Sequence, residues 1–277
     1  MNSCHKYFSA CLLALLTQAA FAQSAPSLGA ASEFAVLGGT AVTCTTSVVA
    51  GDLGISPGAT AAFTNTGCTI SGDMPPATNA DAVDARAAML STYAALQSRA
   101  CTGTLLSTIP VSTTLSPGVY CTDAALTATD VVLTLDARGD RNAVWIFKVG
   151  AALTGTNFSV IMANGAQPCN VFWVPGDATT MTTSALKGSI LAGGATLGSI
   201  TLTGGTLVGR ALANVAVTMT NASVIDCDVV SEDFPSCKGK KRHGHHGHKG
   251  DKHHGSSHHS PFGSNDKHDG KDDKKHK

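Results

Sequence analysis

The central part of this sequence has few of the side chains that catalysis and nucleic-acid binding require. Of the 11 histidines, one lies at position 5 and the other ten follow residue 237. Residues 27–237 contain only two lysines, Lys148 and Lys187, and 14 acidic against 7 basic residues. A mildly acidic region without a basic stripe does not suit a phosphate backbone. We therefore expect no nucleic-acid partner, and the shortage of general bases argues against an enzyme.

Long apolar runs are also missing, except at the N-terminus. Lys6 precedes an apolar run from Phe8 to Leu16, and Ala20-Phe21-Ala22 forms a cleavage site before Gln23. This run is too short to span a bilayer. We predict a signal peptide at residues 1–22, secretion of an extracellular product and no membrane partner.

The C-terminal segment, residues 238–277, has a single aromatic residue, Phe262, among Gly, Ser, Lys, Asp and His. Such a composition buries too little apolar surface to offset chain entropy, so we predict a disordered tail. Its histidines are dense enough for a weak Zn²⁺, Cu²⁺ or Ni²⁺ site. The sequence favours the alternative, a solvated tail that gains positive charge as the pH falls. The candidate metal ligands are His243, His245, His246, His248, His253, His254, His258 and His259.

Seven cysteines follow residue 22, with long spacings and no C-x-x-C motif. A zinc site is therefore not expected in the core, and we predict no cofactor. In an oxidising compartment these cysteines should form disulfides. Proximity favours Cys44–Cys68 and Cys101–Cys121, and less strongly Cys169–Cys227. Cys237 is left over, either free or paired between chains.

Residues 23–237 combine short strands rich in β-branched residues with turns at roughly 8–12-residue spacing, which is typical of a sandwich, barrel or solenoid. Residues 78–100 differ, because they contain neither Gly nor Pro. We predict one long helix there, at about residues 79–99. Helical spacing suggests that the packing face of this helix consists of Val83, Ala87, Leu90, Ala94 and Gln97.

Threonine repeats favour the solenoid. Three T-[LM]-T tripeptides begin at Thr180, Thr201 and Thr218, with spacings of 21 and 17 residues, and T-[AG]-T tripeptides begin at Thr127 and Thr154. A repeat of this length suits one coil of three short strands. The alternative is that threonine merely favours strands. We predict a mainly β, three-faced solenoid (β-helix) with one long α-helix packed alongside.

A T-x-T tripeptide in a strand places two threonines on one face, roughly 6.6–6.8 Å apart, and stacked coils repeat at roughly 4.7–4.9 Å. Since β-branching restricts χ1, the hydroxyl and methyl groups form a stiff array. Such an array can order water into an ice-like layer without a nucleophile, base or metal. The alternative is a solvent-facing strand surface without a ligand.

Several segments resemble the microbial ice-binding (antifreeze) family, and they occur in that family's order. They are LGAASEFAVLGGTAVT (28–43), GDLGISPG (51–58), LSPGVY (115–120), LTLDARGDRNAVWIFKVG (133–150), CNVFWVPG (169–176), LKGSILA (186–192) and LVGRALA (207–213). The resemblance covers nearly all of residues 28–227. It implies a right-handed, discontinuous three-faced β-solenoid with one flanking α-helix, and ice binding on a flat face away from that helix. The sequence departs from the family in its His-rich tail and its number of cysteines.

The resemblance also implies roles for individual residues. Structural roles are expected for Asp52, Arg138, Asp140, Trp145 and Arg210. Some family members carry a T-[AG]-x-[TN] motif, which occurs here at 40–43, 66–69, 154–157 and 203–206. Residues i and i+3 of a straight strand face opposite ways, so this motif needs a turn or bulge. The candidate ice-binding residues are Thr40, Thr43, Thr66, Thr69, Thr127, Thr129, Thr154, Thr156, Asn157, Thr180, Thr182, Thr201, Thr203, Thr206, Thr218 and Thr220.

The expected function is thus ice adsorption by a secreted, non-catalytic monomer that inhibits ice growth and recrystallisation. One alternative is an extracellular adhesion or matrix protein on the same scaffold, with the His-rich tail binding metal or surfaces. A polysaccharide-active enzyme, as found among other β-helices, is a further alternative. Two sequons, at Asn157 and Asn221, are glycosylation candidates in a eukaryotic host.

Overall fold

The computed structural model describes residues 24–56, 62–74 and 80–230. The chain divides into two units, Met1–Cys237 and Lys238–Lys277, and all the described residues lie in the first. The predicted signal peptide, Cys237 and the histidine-rich tail lie outside the described residues. Within the described ranges, no helix is both long and apolar enough to cross a membrane.

The described residues form three parallel sheets that together build a β-solenoid, which confirms the predicted fold class. A full coil contributes one strand to each sheet, first to sheet A, then to sheet B and then to sheet C. Strands are numbered in chain order. In spatial order, sheet A contains β4 (Asp52–Ile55), β1 (Phe34–Gly38), β21 (Ala211–Ala213), β18 (Ser189–Ala192), β15 (Val171–Pro175), β12 (Trp145–Val149), β9 (Gly118–Thr122) and β7 (Gly103–Thr104).

Sheets B and C follow the same order of coils along the solenoid. Sheet B contains β10 (Leu126–Thr129), β13 (Leu153–Thr156), β16 (Thr179–Thr182), β19 (Ile200–Thr203), β22 (Ala216–Thr220), β2 (Ala41–Thr45) and β5 (Ala62–Thr66). Sheet C contains β6 (Thr69–Ile70), β3 (Val48–Ala50), β23 (Ser223–Ile225), β20 (Thr206–Val208), β17 (Ala185–Lys187), β14 (Ser159–Ala163), β11 (Val132–Asp136) and β8 (Ser112–Leu115). The remaining elements are α1 (Ala80–Gln97), α2 (Cys227–Val230) and 3₁₀ helices at Gly29–Glu33 and Pro168–Asn170.

The chain does not run through the coils in spatial order. Its first coil, β1 to β3, pairs with its last coil, β21 to β23, so the two ends of the domain share all three sheets. Helix α1 then returns along the outside of sheet A, contacting β1, β18, β15 and β12. Eighteen residues of helix extend about 27 Å, and seven spacings between eight strands extend about 33 Å. The helix therefore connects coils at opposite ends of the solenoid.

The largest inward side chains of sheet A lie in β9, β12 and β15, and this uneven filling of the interior explains the loose sequence repeat. One inward column of sheet A runs through Tyr120, Phe147, Trp173, Ile190 and Ala211, from large side chains to small ones. The rings of Phe147 and Trp173 stack with centroids 4.1 Å apart. The coils that enclose these rings need more residues than the coils that enclose smaller side chains.

Helix α1 lies where the sequence predicts it, but the predicted packing face is wrong. The buried residues are Ala82, Ala85, Met89, Thr92 and Leu96, whereas Val83 is 46% exposed. Alanines surround this helix on most sides, so apolar spacing favoured two stripes almost equally. The true stripe includes Thr92, whose hydroxyl donates to the Ser27 carbonyl at 2.9 Å and is thereby compatible with burial.

Three disulfides and one buried ion pair fasten the ends of the domain. The structure contains Cys44–Cys68, Cys101–Cys121 and Cys169–Cys227, the three pairs favoured by the sequence. Near the last of these, buried Arg210 contacts Asp226 at 2.9 Å and Asp228 at 2.7 Å. The Arg210 Nε also donates to the Ser32 carbonyl at 3.1 Å. Arg210 thus links the last coil to the N-terminal 3₁₀ helix.

Replacing Arg210 with methionine should lower the free energy of unfolding by about 3–5 kcal/mol at pH 7, because a buried Asp226 carboxylate loses its partner. Burial already raises the pKa of Asp226 above its ordinary value of 3.8, and Arg210 lowers it in part. Without Arg210 the pKa rises further. The loss of stability should therefore be small below pH 3.8, where Asp226 is neutral in both states, and should grow as the pH rises.

Urea unfolding over a pH series measures this effect. Arg99→Met is a matched control, since the Arg99 guanidinium donates an exposed hydrogen bond to the Ser24 carbonyl at 3.3 Å. The control should change stability by under about 0.5 kcal/mol at every pH. An Arg210→Met protein as stable as the unmodified one at pH 7 would show that the ion pair does not fasten the end.

Candidate functional site

Sheet B carries two unbroken columns of threonine on its outward surface. Its seven strands pair in register, so each T-x-T tripeptide aligns with the next. Column 1 consists of Thr127, Thr154, Thr180, Thr201, Thr218, Thr43 and Thr64. Column 2 consists of Thr129, Thr156, Thr182, Thr203, Thr220, Thr45 and Thr66. These two columns together are called the threonine face.

The threonine face points outward along its whole length. Each of its threonines is exposed or half-buried, whereas the middle residues Met181, Leu202 and Met219 are at most 4% exposed. This is the alternation that a strand imposes on neighbouring side chains. The face extends about 29 Å across its seven strands, and its columns lie roughly 6.7 Å apart.

The hydroxyls of the threonine face have no protein partner. Across the described residues, none of these fourteen side chains donates or accepts a hydrogen bond, although threonines elsewhere in the fold do. For example, Thr40 bonds to the Val215 carbonyl and Thr46 to Asn221. The hydroxyls of the face are therefore available to water, while β-branching holds their χ1 angles.

The strands that carry the threonine face are uncharged. The strands of sheet B contain no Asp, Glu, Lys or Arg within the ranges that the structure describes. In most coils, the residue two positions before the column 1 threonine is an alanine. Examples are Ala41 and Ala216, which pair in register. The described strands of sheet B thus place no charged side chain among the threonines.

The other two sheets lack such a surface. Helix α1 and the first 3₁₀ helix cover sheet A, so that Phe172, Val174 and Leu191 of this sheet are buried against them. The outward surface of sheet C is mixed: Val48 and Ile161 are exposed, while Lys187 is half-buried. Only sheet B therefore combines exposure with a single repeated side chain.

The structure brings together twelve of the sixteen predicted ice-binding residues. The other four lie off the threonine face: Thr40 precedes β2, Thr69 and Thr206 lie on sheet C, and Asn157 lies at the corner between sheets B and C. All four were predicted from the T-[AG]-x-[TN] motif. At 66–69 and 203–206 the motif turns the corner between sheets, so its first and last residues belong to different faces.

Sequence reasoning missed Thr45 and Thr64, and also Thr108. The tripeptides Thr43-Cys44-Thr45 and Thr64-Asn65-Thr66 fit the T-x-T pattern, but their middle residues are not Leu, Met, Ala or Gly. Reading T-x-T without regard to the middle residue would have found both. Thr108 pairs with Thr127 and extends column 1 by one coil. Thr108 belongs to no T-x-T tripeptide, so only its pairing with Thr127 reveals its place in column 1.

The residues expected to be structural make local contacts. Asp52 accepts from the Asp73 amide at 2.8 Å, Asp140 accepts from the Asn142 amide at 2.9 Å, and the Trp145 indole donates to the Leu115 carbonyl at 3.3 Å. Arg138 adopts a φ of 50° at a corner. These contacts shape turns and the core rather than a ligand site.

The described titratable groups also serve the fold. Lys148 donates to the Arg99 carbonyl at 2.8 Å, and partial burial lowers the pKa of Lys187. Cys169, Cys227 and Asp228 come within 4.8 Å of one another, but both sulfurs belong to a disulfide. A thiolate is the form of cysteine that binds metals, and here neither sulfur is one.

Residues 36–225, which include every strand of sheet B, match the model of a family described as ice-binding-like. The chain belongs to this family. The resemblance expected from the sequence is thereby confirmed, and the ice-binding-like family is non-enzymatic.

Solved structures of similar proteins carry the same fold. An ice-binding protein from the Antarctic ascomycete Antarctomyces psychrotrophicus is 31% identical with a TM-score of 0.65, over 73% of this chain and 98% of that one. An ice-binding protein from an Antarctic biological consortium is 32% identical with a TM-score of 0.68, over 73% and 91% of the two chains.

A curated relative, an ice-binding protein of Nostoc sp. (strain HG1), is 38% identical over 172 residues, which are 58% of this chain and 60% of the relative. The chain thus spans less than two thirds of this relative.

Removing a hydroxyl from the threonine face should not affect folding. Thr218→Val is expected to change the free energy of unfolding by less than about 0.5 kcal/mol, since the hydroxyl has no protein partner to lose. Thr46→Val, which breaks the 2.7 Å bond to Asn221, should cost about 1 kcal/mol. Chemical denaturation measures both. A larger loss for Thr218→Val than for Thr46→Val would mean that the face hydroxyls stabilise the fold.

Proposed function

We propose that this protein binds ice through the threonine face and thereby inhibits ice growth and recrystallisation. The observation that carries this proposal is the pair of threonine columns whose hydroxyls have no protein partner. Similar proteins named as ice-binding support it. Adhesion, the alternative function, gains no support from these relatives.

Ice binding requires a surface that presents many weak contacts at fixed positions. The ladder of sheet B fixes two repeat distances, one along the strand and one between coils. Each hydroxyl anchors one water, and each methyl favours a cage of waters around itself. Because the protein lattice is already rigid, little further entropy is lost when these waters join the crystal.

Uniform small side chains favour ice over other ligands. A carbohydrate or peptide site offers pockets with a few convergent polar groups, whereas the threonine face is a repeated, uncharged surface. A growing ice plane is likewise flat and periodic. The two surfaces therefore match over many coils at once, which makes adsorption strong although each contact is weak.

Replacing one face threonine with a bulky residue should disrupt this match. Thr201→Tyr is expected to abolish or strongly reduce inhibition of recrystallisation and thermal hysteresis, because the ring rises above the plane at the centre of the face. Splat-cooled ice grain growth and nanolitre osmometry provide the measurements.

Thr206→Tyr is the matched control, since Thr206 belongs to the same coil, is also half-buried, and lies on sheet C. The control should retain full activity. Equal loss in both variants, or no loss for Thr201→Tyr, would show that sheet B is not the ice-binding surface. Unchanged far-ultraviolet circular dichroism establishes that each variant is folded.

We also infer that the protein is exported. The signal-like residues 1–22 support this, as do three disulfides, which persist in oxidising compartments. When the chain is produced with its own N-terminus, the exported product should begin at Gln23. Six of its seven cysteines should be paired, leaving Cys237 as one reactive thiol.

Intact mass after alkylation tests this inference. Without reductant, one cysteine should be labelled, and after reduction all seven. Retention of residues 1–22, or several thiols labelled before reduction, would contradict export through an oxidising compartment.

A further inference from the structure

A column of left-handed residues lies beside the threonine face, where each coil leaves sheet B for sheet C. Each of its members directly follows a column 2 threonine, and each has a positive φ, from 44° at Thr46 to 76° at Gly67. The seven members are Asp130, Asn157, Thr183, Gly204, Asn221, Thr46 and Gly67. Such a conformation is costly for residues other than Gly, Asn and Asp, so its repetition in every coil indicates a defined corner geometry.

Backbone hydrogen bonds connect this column to the threonine face. The amide of every corner residue except Gly67 donates to the carbonyl of a column 2 threonine in the next coil. The six bonds run from Asp130, Asn157, Thr183, Gly204, Asn221 and Thr46 to Thr156, Thr182, Thr203, Thr220, Thr45 and Thr66, at 2.8–3.0 Å. Each of these bonds therefore fixes the position of the accepting threonine relative to the corner residue of the adjacent coil.

Side chains reinforce half of these steps. Thr183 Oγ1 donates to Asn157 Oδ1 at 3.0 Å, and Asn157 Nδ2 donates to Asp130 Oδ1 at 3.0 Å. In the neighbouring group, Thr46 Oγ1 donates to Asn221 Oδ1 at 2.7 Å. We call these five side chains the corner ladder. Both Nδ2 and Oδ1 of Asn157 are therefore bonded to neighbouring corner side chains.

We propose that Asn157 and Asn221 are positioning residues: through the corner ladder they hold column 2 at the spacing that ice binding requires. They do not contact ice as the threonines do. This inference rests on the proposed function and adds the elements that fix the lattice. It also assigns the sequence-predicted residue Asn157 a role beside the face instead of on it.

Asn157→Gly and Asn221→Gly remove the side-chain bonds while keeping the corner. Glycine adopts a positive φ readily and already occupies this position at Gly67 and Gly204. We expect each variant to lose recrystallisation inhibition and thermal hysteresis several-fold. Three-bond couplings that report χ1 of Thr156 and Thr182 should change from a single rotamer towards an average in Asn157→Gly.

Asn164→Gly is a matched control on another corner. Asn164 has a φ of 51°, follows β14, and donates to Asp136 Oδ1 at 2.7 Å. Its replacement removes an Asn–Asp bond of the same kind away from the threonine face. We expect a similar decrease in thermal stability but unchanged ice activity and unchanged threonine couplings. The proteins should be produced in a bacterial host that does not glycosylate them. The loss of a glycosylation site at Asn157 or Asn221 then does not affect the comparison.

Full ice activity in both Asn157→Gly and Asn221→Gly would overturn the positioning role, as would an equal loss of activity in Asn164→Gly. An unmodified protein that fails to affect ice would instead overturn the proposed function. The two failures are distinguishable because the first requires an active parent protein.

Discussion

In-register parallel pairing of the coils is the constraint on which the threonine face depends. A slip of one residue in any strand of sheet B would turn its threonines inward and the residue between them outward. Burial of those middle residues therefore fixes the register from inside, and the corner amides fix it from outside. The lattice is a consequence of core packing, which is why a surface without protein partners for its hydroxyls can still be rigid.

The three sheets are all parallel, but they differ in what covers them and in which side chains they present outward. Helix α1 buries the outer surface of sheet A, and sheet C presents a mixture of apolar, polar and charged side chains. Sheet B alone repeats one residue type without interruption. The solenoid thus separates stability from recognition: sheet A and the aromatic interior supply buried area, while sheet B can vary its outward residues at little cost to folding.

The chain does not visit the coils in spatial order, and this path determines where the two termini of the domain lie. Because the first coil pairs with the last, both termini of the domain lie within the stack, next to the end coil that β4, β5 and β6 form. Helix α1 must therefore span the distance from that end coil to the opposite end. Arg210 fastens this junction by pairing with Asp226 and contacting the Ser32 carbonyl. The disulfides add links between coils that would otherwise depend on short strands alone.

The sequence, together with its family resemblance, predicted the fold class, the position of the helix and most of column 1 and column 2. Strand alternation is local, so T-x-T tripeptides reveal their own orientation without knowledge of the fold. It did not determine which surface of α1 is buried, because Ala on several sides of a helix makes its apolar stripes nearly equivalent. Nor did it place Thr69, Thr206 and Asn157, since their distance from the threonine face depends on where each coil turns. Corner positions and the pairing of Thr108 arise from contacts between coils distant in sequence, and only the tertiary structure decides such contacts.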